Sequence, residues 1–142
     1  MTLRFYIPRD AAAIAVGADD VARALETSAA ARNTAVEIVR TGSRGLFWLE
    51  PMVEVATAEG RVAFGPVAPE DVTSLLEAAL SHGAHPLRLG VADEIPWLKK
   101  QTRFTFVRCG VVDPRSVEDY KAHGGFKGLA RADNMPLPAL PK

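Results

Sequence analysis

Gly42-Ser-Arg-Gly-Leu-Phe-Trp-Leu-Glu-Pro-Met-Val-Glu-Val55 is the stretch whose reading decides the fold. It leads from a glycine-bearing loop through Pro51 into an apolar run. Residues 52–56 read as a strand, and the Ala58-Glu59-Gly60 turn folds it back onto residues 61–64 as a hairpin. Upstream, residues 3–7 form a short apolar run stopped by Pro8, and residues 36–39 give a second strand. Between them lies an Ala-rich loop or short helix over 9–17. A helix then starts at Asp19 or Asp20 as cap and runs to about Ala31, burying Val21, Ala22, Leu25 and Ala29.

Downstream of the hairpin is the clearest helix in the chain. Pro69 suits its first turn, and Glu70 and Asp71 favour its positive end. Val72, Leu75, Leu76, Ala79 and Leu80 repeat at the spacing of one helical face, and Gly83 supplies a stop. Residues 84–103 read as a connector with a helical turn near 95–100. Residues 104–108 read as a further strand or extended segment. Asp113 and Pro114 are expected to start a helix through Val117 and Tyr120 that stops at Gly124 and Gly125, with a second short helix over 126–132. Residues 133–142 form a Pro-rich tail.

Composition narrows the function classes. The chain has 142 residues, enough for one compact domain with a small appendage. Seventeen basic residues balance seventeen acidic ones, so net charge gives no reason to expect nucleic acid or an acidic membrane as partner. The single cysteine, Cys109, excludes an internal disulfide and a four-thiolate metal site. No apolar run is long enough to span a bilayer and no signal-peptide core is present, so a cytoplasmic location is expected.

The order strand, helix, strand, loop, strand, hairpin strand, helix resembles a thioredoxin-like domain. The fold class expected is therefore α/β, a thioredoxin-like β-α-β-β-β-α domain over residues 1–83 with a short helical C-terminal extension. Pro51 sits where that fold often carries a cis proline, making Glu50–Pro51 a candidate. A second resemblance lies in Gly110, Asp113, Pro114, Tyr120, Gly124, Gly125 and Phe126. Their Gly-x-x-Asp-Pro turn and Tyr-x-x-x-Gly-Gly-Phe ending resemble the start of the NADH-binding flavoprotein subunit of complex I, which assigns residues 104–132 to that segment. The preceding domain resembles the 2Fe–2S subunit that pairs with it. The two fused resemble the beta subunit of cytoplasmic NAD-dependent molybdenum formate dehydrogenase and, less closely, the diaphorase subunit of NAD-reducing hydrogenase.

The resemblance implies cluster ligands at Pro8 and Ala13 after the first strand, and at Ser43 and Phe47 before the third. None is a thiolate, so the site reads as degenerate, with no cofactor in this chain. FMN, NAD and iron–sulfur clusters are expected of the parent complex, whose other subunits are the expected partners. The function expected is structural docking within that oxidoreductase; no residue here is assigned to catalysis. A single-thiol thioredoxin-fold enzyme acting through Cys109 is the alternative. Phe47, Trp48, Trp97, Tyr120 and Phe126 are candidate partner contacts, set against simple core filling. Cys109 reads as a structural thiol, His82 and His85 as helix-end residues, and Asp19 and Asp20 as caps. Gly42–Gly45 lacks the following helix and Lys-Ser/Thr of a phosphate loop.

Overall fold

The structure, a computed structural model, describes residues 2–135. From Pro136 onward the expected Pro-rich tail lies outside the described residues. The elements are β1 (Leu3–Pro8), α1 (Ala11–Ala15), α2 (Ala18–Ala31), β2 (Val36–Thr41), β3 (Val53–Thr57), β4 (Gly60–Phe64), α3 (Val72–Ser81), β5 (Arg88–Val91), α4 (Pro96–Lys99), α5 (Val117–Ala122) and α6 (Lys127–Asp133). The strands form one sheet in the order β2-β1-β3-β4-β5. β1 and β2 run parallel, and the remaining neighbours are antiparallel. β2 and β5 are thus the sheet's two borders.

Strand alternation divides the sheet into two faces. Leu3, Phe5, Ile7, Val53, Val55, Val62 and Phe64 point to one side and join Val21, Leu25, Val72, Leu75 and Leu76 in the main core. Each large aliphatic buried there contributes about 1.5–3 kcal/mol before conformational entropy is charged. A smaller core on the other side gathers Leu46, Met52, Ala63, Ala92 and Leu98. That second cluster draws on the loop after β2 and on the chain after β5, so it fastens both to the sheet.

Several expectations change in detail. α2 starts at Gly17 rather than at an aspartate cap; Asp19 and Asp20 lie in its first turn, paired with Arg40 and Arg23. Asp10 caps the short α1 instead. α3 ends on His82, which takes the left-handed conformation (φ 53°) expected of Gly83. β5 falls inside the stretch read as connector. Residues 104–108 form a bend and turns rather than a strand, and no strand of the sheet pairs with them. α5 is capped by Ser116, whose Oγ accepts from the Asp119 N–H (3.0 Å), and not by Asp113. The Glu50–Pro51 bond is cis, as is Gly65–Pro66.

Candidate functional site

Two loops leave the same end of the sheet. Pro8 closes β1 opposite Thr41 of β2, and the Arg9 N–H donates to the Thr41 carbonyl (2.9 Å). Asp10 turns the first loop into α1: its Oδ1 accepts from the N–H groups of Ala12 (3.0 Å) and Ala13 (3.2 Å), while its Oδ2 is buried with no hydrogen-bond partner. In the second loop, the Ser43 hydroxyl donates to Glu50 Oε1 (2.7 Å) and accepts from the Gly45 N–H (2.9 Å). The Met52 N–H donates to Glu50 Oε2 (2.9 Å). Glu50 is buried. Burial pushes its carboxyl above the ordinary range, against the two hydrogen bonds, and the nearby Asp10 and Glu54 charges add to the rise.

The four positions assigned by resemblance have different surroundings. Pro8 is buried at the end of β1. Ala13 is fully buried and belongs to the main core. Ser43 is engaged by Glu50 and Gly45. Phe47 opens a short 3-10 turn, Phe47–Leu49, with its side chain exposed. Pro8, Ala13 and Phe47 offer no side-chain donor atom to a metal, and one hydroxyl cannot replace four thiolates, so this set does not fit a thiolate-held cluster. Cys109 is exposed in the turns before α5 and is not at a helix N-terminus. His85 accepts or donates against the Ser74 hydroxyl (3.0 Å) and accepts from the Leu87 N–H (3.2 Å). Among the described residues no three His, Cys, Asp or Glu side chains group to hold a metal ion.

The most constrained polar cluster lies on the sheet face away from α2 and α3. Glu54, in the middle of β3 and beside Tyr6 of β1, accepts a two-pronged contact from Arg44 Nε (2.8 Å) and Nη2 (2.9 Å). Both side chains are buried. Arg44 Nη1 also donates to Asp93 (2.7 Å). Burial works against the Arg44 charge, but the hydrogen bonds and charges of Glu54 and Asp93 outweigh it and hold its pKa above the ordinary value. Arg61 of β4 lies 3.7 Å from Glu54 and stacks over the Tyr6 ring, 3.4 Å from its centroid. Its remaining donors reach the carbonyls of Gly110 (3.3 Å) and Val111 (2.8 Å). Arg103 returns to the Arg44 carbonyl (2.5 Å). Gly110 (φ 76°) packs so closely that a Cβ would stand 2.6 Å from Arg44 Cγ. Strand alternation alone makes Glu54 look like an outward, solvated residue, which is why sequence reasoning passed over this clamp.

The Tyr-x-x-x-Gly-Gly-Phe ending is a packed unit. A Cβ on Gly125 would lie 2.2 Å from Tyr120 Cδ1, so only glycine lets the chain wrap the ring. Phe126 then meets Tyr120 edge to face at 5.0 Å, and the Arg108 guanidinium lies 5.1 Å from the Tyr120 centroid. Trp48 and Trp97 form a second edge-to-face pair at 5.8 Å. Of the five candidate contacts, two pairs are thus brought together, and Phe47 adjoins the second through Trp48.

The fold is that of the thioredoxin-like ferredoxins. Two solved structures of the thioredoxin-like 2Fe–2S ferredoxin from Aquifex aeolicus match it, each with a TM-score of 0.51 and 20% identity. One match covers 64% of this chain and 93% of that one; the wild-type structure covers 63% and 97%. No protein-family model and no curated protein matches. These matches correct one expectation. The sequence reading gives this chain no cofactor, whereas the solved proteins sharing its fold are 2Fe–2S ferredoxins, and the expectation of a cofactor-free chain falls. What stands is narrower: Pro8, Ala13, Ser43 and Phe47 are not thiolate ligands. No helix among the described residues is long and apolar enough to cross a membrane.

Proposed function

We propose that this chain is a docking domain of a cytoplasmic NAD-linked oxidoreductase, built on an electron-transfer fold. The parent we favour is the NAD-dependent molybdenum formate dehydrogenase, in which the chain corresponds to the N-terminal region of the flavoprotein (beta) subunit. Its role is to seat the flavoprotein against the other subunits and so support their electron transfer. The observation carrying this reading is the junction between the two resembling pieces. Arg61, on a strand of the ferredoxin-like sheet, holds the carbonyls of Gly110 and Val111, near the start of the flavoprotein-like segment. Arg44, anchored on Glu54, forms the surface against which Gly110 packs. The ferredoxin-like domain therefore fixes the direction in which the flavoprotein-like segment leaves it.

A tag placed on the chromosomal gene, followed by purification of the native assembly, tests this. A complex containing molybdenum and FMN that reduces NAD with formate is the expected result. Nickel in place of molybdenum would move the parent to a hydrogenase diaphorase. A chain recovered alone under native conditions would sink the docking role.

A further inference from the structure

The neutral whole hides a division of charge. Residues 1–97 carry 8 basic and 13 acidic side chains, a balance of −5, whereas residues 98–142 carry 9 and 4, a balance of +5. Residues 97–112 hold Lys99, Lys100, Arg103 and Arg108, have no acidic residue, and interleave them with Trp97, Phe104 and Phe106. All three aromatics are more than half exposed, as are Phe47 and Trp48 beside them; Phe104 is 93% exposed. The Trp48–Trp97 pair ties this segment to the turn after β2. Phe47, Phe104 and Phe106 line one cavity of about 730 Å³ together with Arg103. Aromatics and arginine concentrated in one patch are the composition of an interface centre rather than of ordinary surface.

The cations decide what would cover it. Lys99 is paired with Glu94. Among the described residues no carboxylate lies within ion-pair distance of Lys100, Arg103 or Arg108. Arg103 and Arg108 spend donors on backbone carbonyls, the latter on that of His123 at 2.9 Å, which satisfies hydrogen bonds without neutralising charge. A second copy of the chain is the poorer complement, because Asp19, Asp20, Glu37 and Glu77 are already paired with its own arginines, which leaves, within residues 1–97, exposed Glu26, Glu59 and Glu70 on three separate segments and not in one acidic patch. A nucleic acid is poorer still, since residues 1–97 repel phosphate and the two indoles pack on each other instead of presenting open parallel faces. We infer that the aromatic and basic strip of residues 97–108, with Phe47 and Trp48, docks an acidic and apolar surface of a separate protein subunit. This inference deepens the docking reading above and rests on it.

Both tryptophans of the chain lie in the strip, so their emission reports on it alone. The titrant is an amphipathic helical peptide with leucine on one face and glutamate on the other. Its lysine counterpart and a short oligodeoxythymidine serve as the contrasting arms. The expected result is a saturable blue shift with the glutamate peptide only, weakened about tenfold by Phe104→Ser or Lys100→Glu and by added salt. No shift, an equal response to the lysine peptide, or tighter binding of the oligonucleotide would overturn the proposal. So would a dimer in sedimentation that Phe104→Ser dissolves. In the native assembly, the same two variants are expected to release the chain. An assembly that keeps both variants would end this surface while leaving the docking role intact. If the wild-type chain has no assembly, the docking role falls and the peptide titration alone decides the surface.

Discussion

On the helix-bearing face of the sheet, Phe5, Val55 and Val62 meet α2 and α3 through hydrocarbon; on the opposite face, Tyr6, Glu54 and Arg61 meet the chain after β5 through charge. The two faces belong to the same strands and differ by one residue in register. Hydrocarbon burial is non-directional, so the first face closes with any well-shaped set of apolar side chains. The second face is directional. A buried carboxylate and two guanidinium groups leave few ways to satisfy every donor, and one of them places Gly110 and Val111 at a fixed spot. Such a cluster contributes little net stability, because desolvation offsets the attraction, but it can specify one arrangement of the extension.

Breaking the charged face alone gives the largest expected effect. Glu54→Leu strands Arg44 and Arg61 over a low-dielectric surface and is expected to cost about 3–5 kcal/mol in urea unfolding. Amide exchange in residues 103–111 is expected to rise with it. Adding Arg44→Met should recover most of the loss; a double variant as unstable as the single one would mean that the pair does not act as a unit. Leu76→Ala, at a fully buried position of the apolar face, is expected to cost about 2–5 kcal/mol, spread over global unfolding with no selective release of the extension. Selective release there would erase the distinction between the faces.

Smaller effects sharpen it. Gly125→Ala drives a methyl into the Tyr120 ring and is expected to cost about 1 kcal/mol, with loss of the Tyr120–Phe126 contact in NMR spectra and the five-stranded domain unchanged. Glu50 tests the loop end of the sheet by pH. Its folded carboxyl titrates above the unfolded one, so its contribution is fully present at pH below the ordinary carboxyl value and is lost as pH rises through the raised one. Relative to Glu50→Gln, the wild-type unfolding midpoint is therefore expected to fall as pH climbs from about 4 toward neutrality. A parallel pair of curves would show that Glu50 is not strained by burial.

The apolar face is legible in the sequence and the charged face is not, for a physical reason. Val72, Leu75, Leu76 and Ala79 announce their partners by spacing, since water exclusion acts on pattern. Residues 52–56 and 61–64 declare a hairpin by composition and turn. Glu54 announces nothing, because an alternating strand explains it as solvated, and its partner Arg44 lies in a loop whose path no local rule fixes. β5 is short, carries Gly90 at a positive φ, and lacks alternation, so it merges with the connector. The Phe-Thr-Phe run at 104–106 has strand alternation without a neighbouring strand, and alternation without pairing leaves only turns. Asp113 before Pro114 has the sequence pattern of a cap, but the Asp119 N–H is aimed at Ser116, a contact that only the folded chain reveals.

The parallel outer strand β2 has one more consequence. Its far side presents unpaired amide and carbonyl groups, a template on which another molecule could stack. Glu37 and Arg40 sit on that strand, tied to Arg4 and Asp19. The Arg4–Glu37 pair is exposed and adds about 0–1 kcal/mol to folding, and Arg40 is half-buried with its guanidinium also on the carbonyls of Ile7 and Pro8, yet Glu37 and Arg40 both place charged side chains on the strand where polymerisation would begin. Replacing both with valine is expected to leave the monomer folded and to make its solutions scatter light as concentration rises. The same two side chains are minor for holding the molecule together and central to keeping molecules apart.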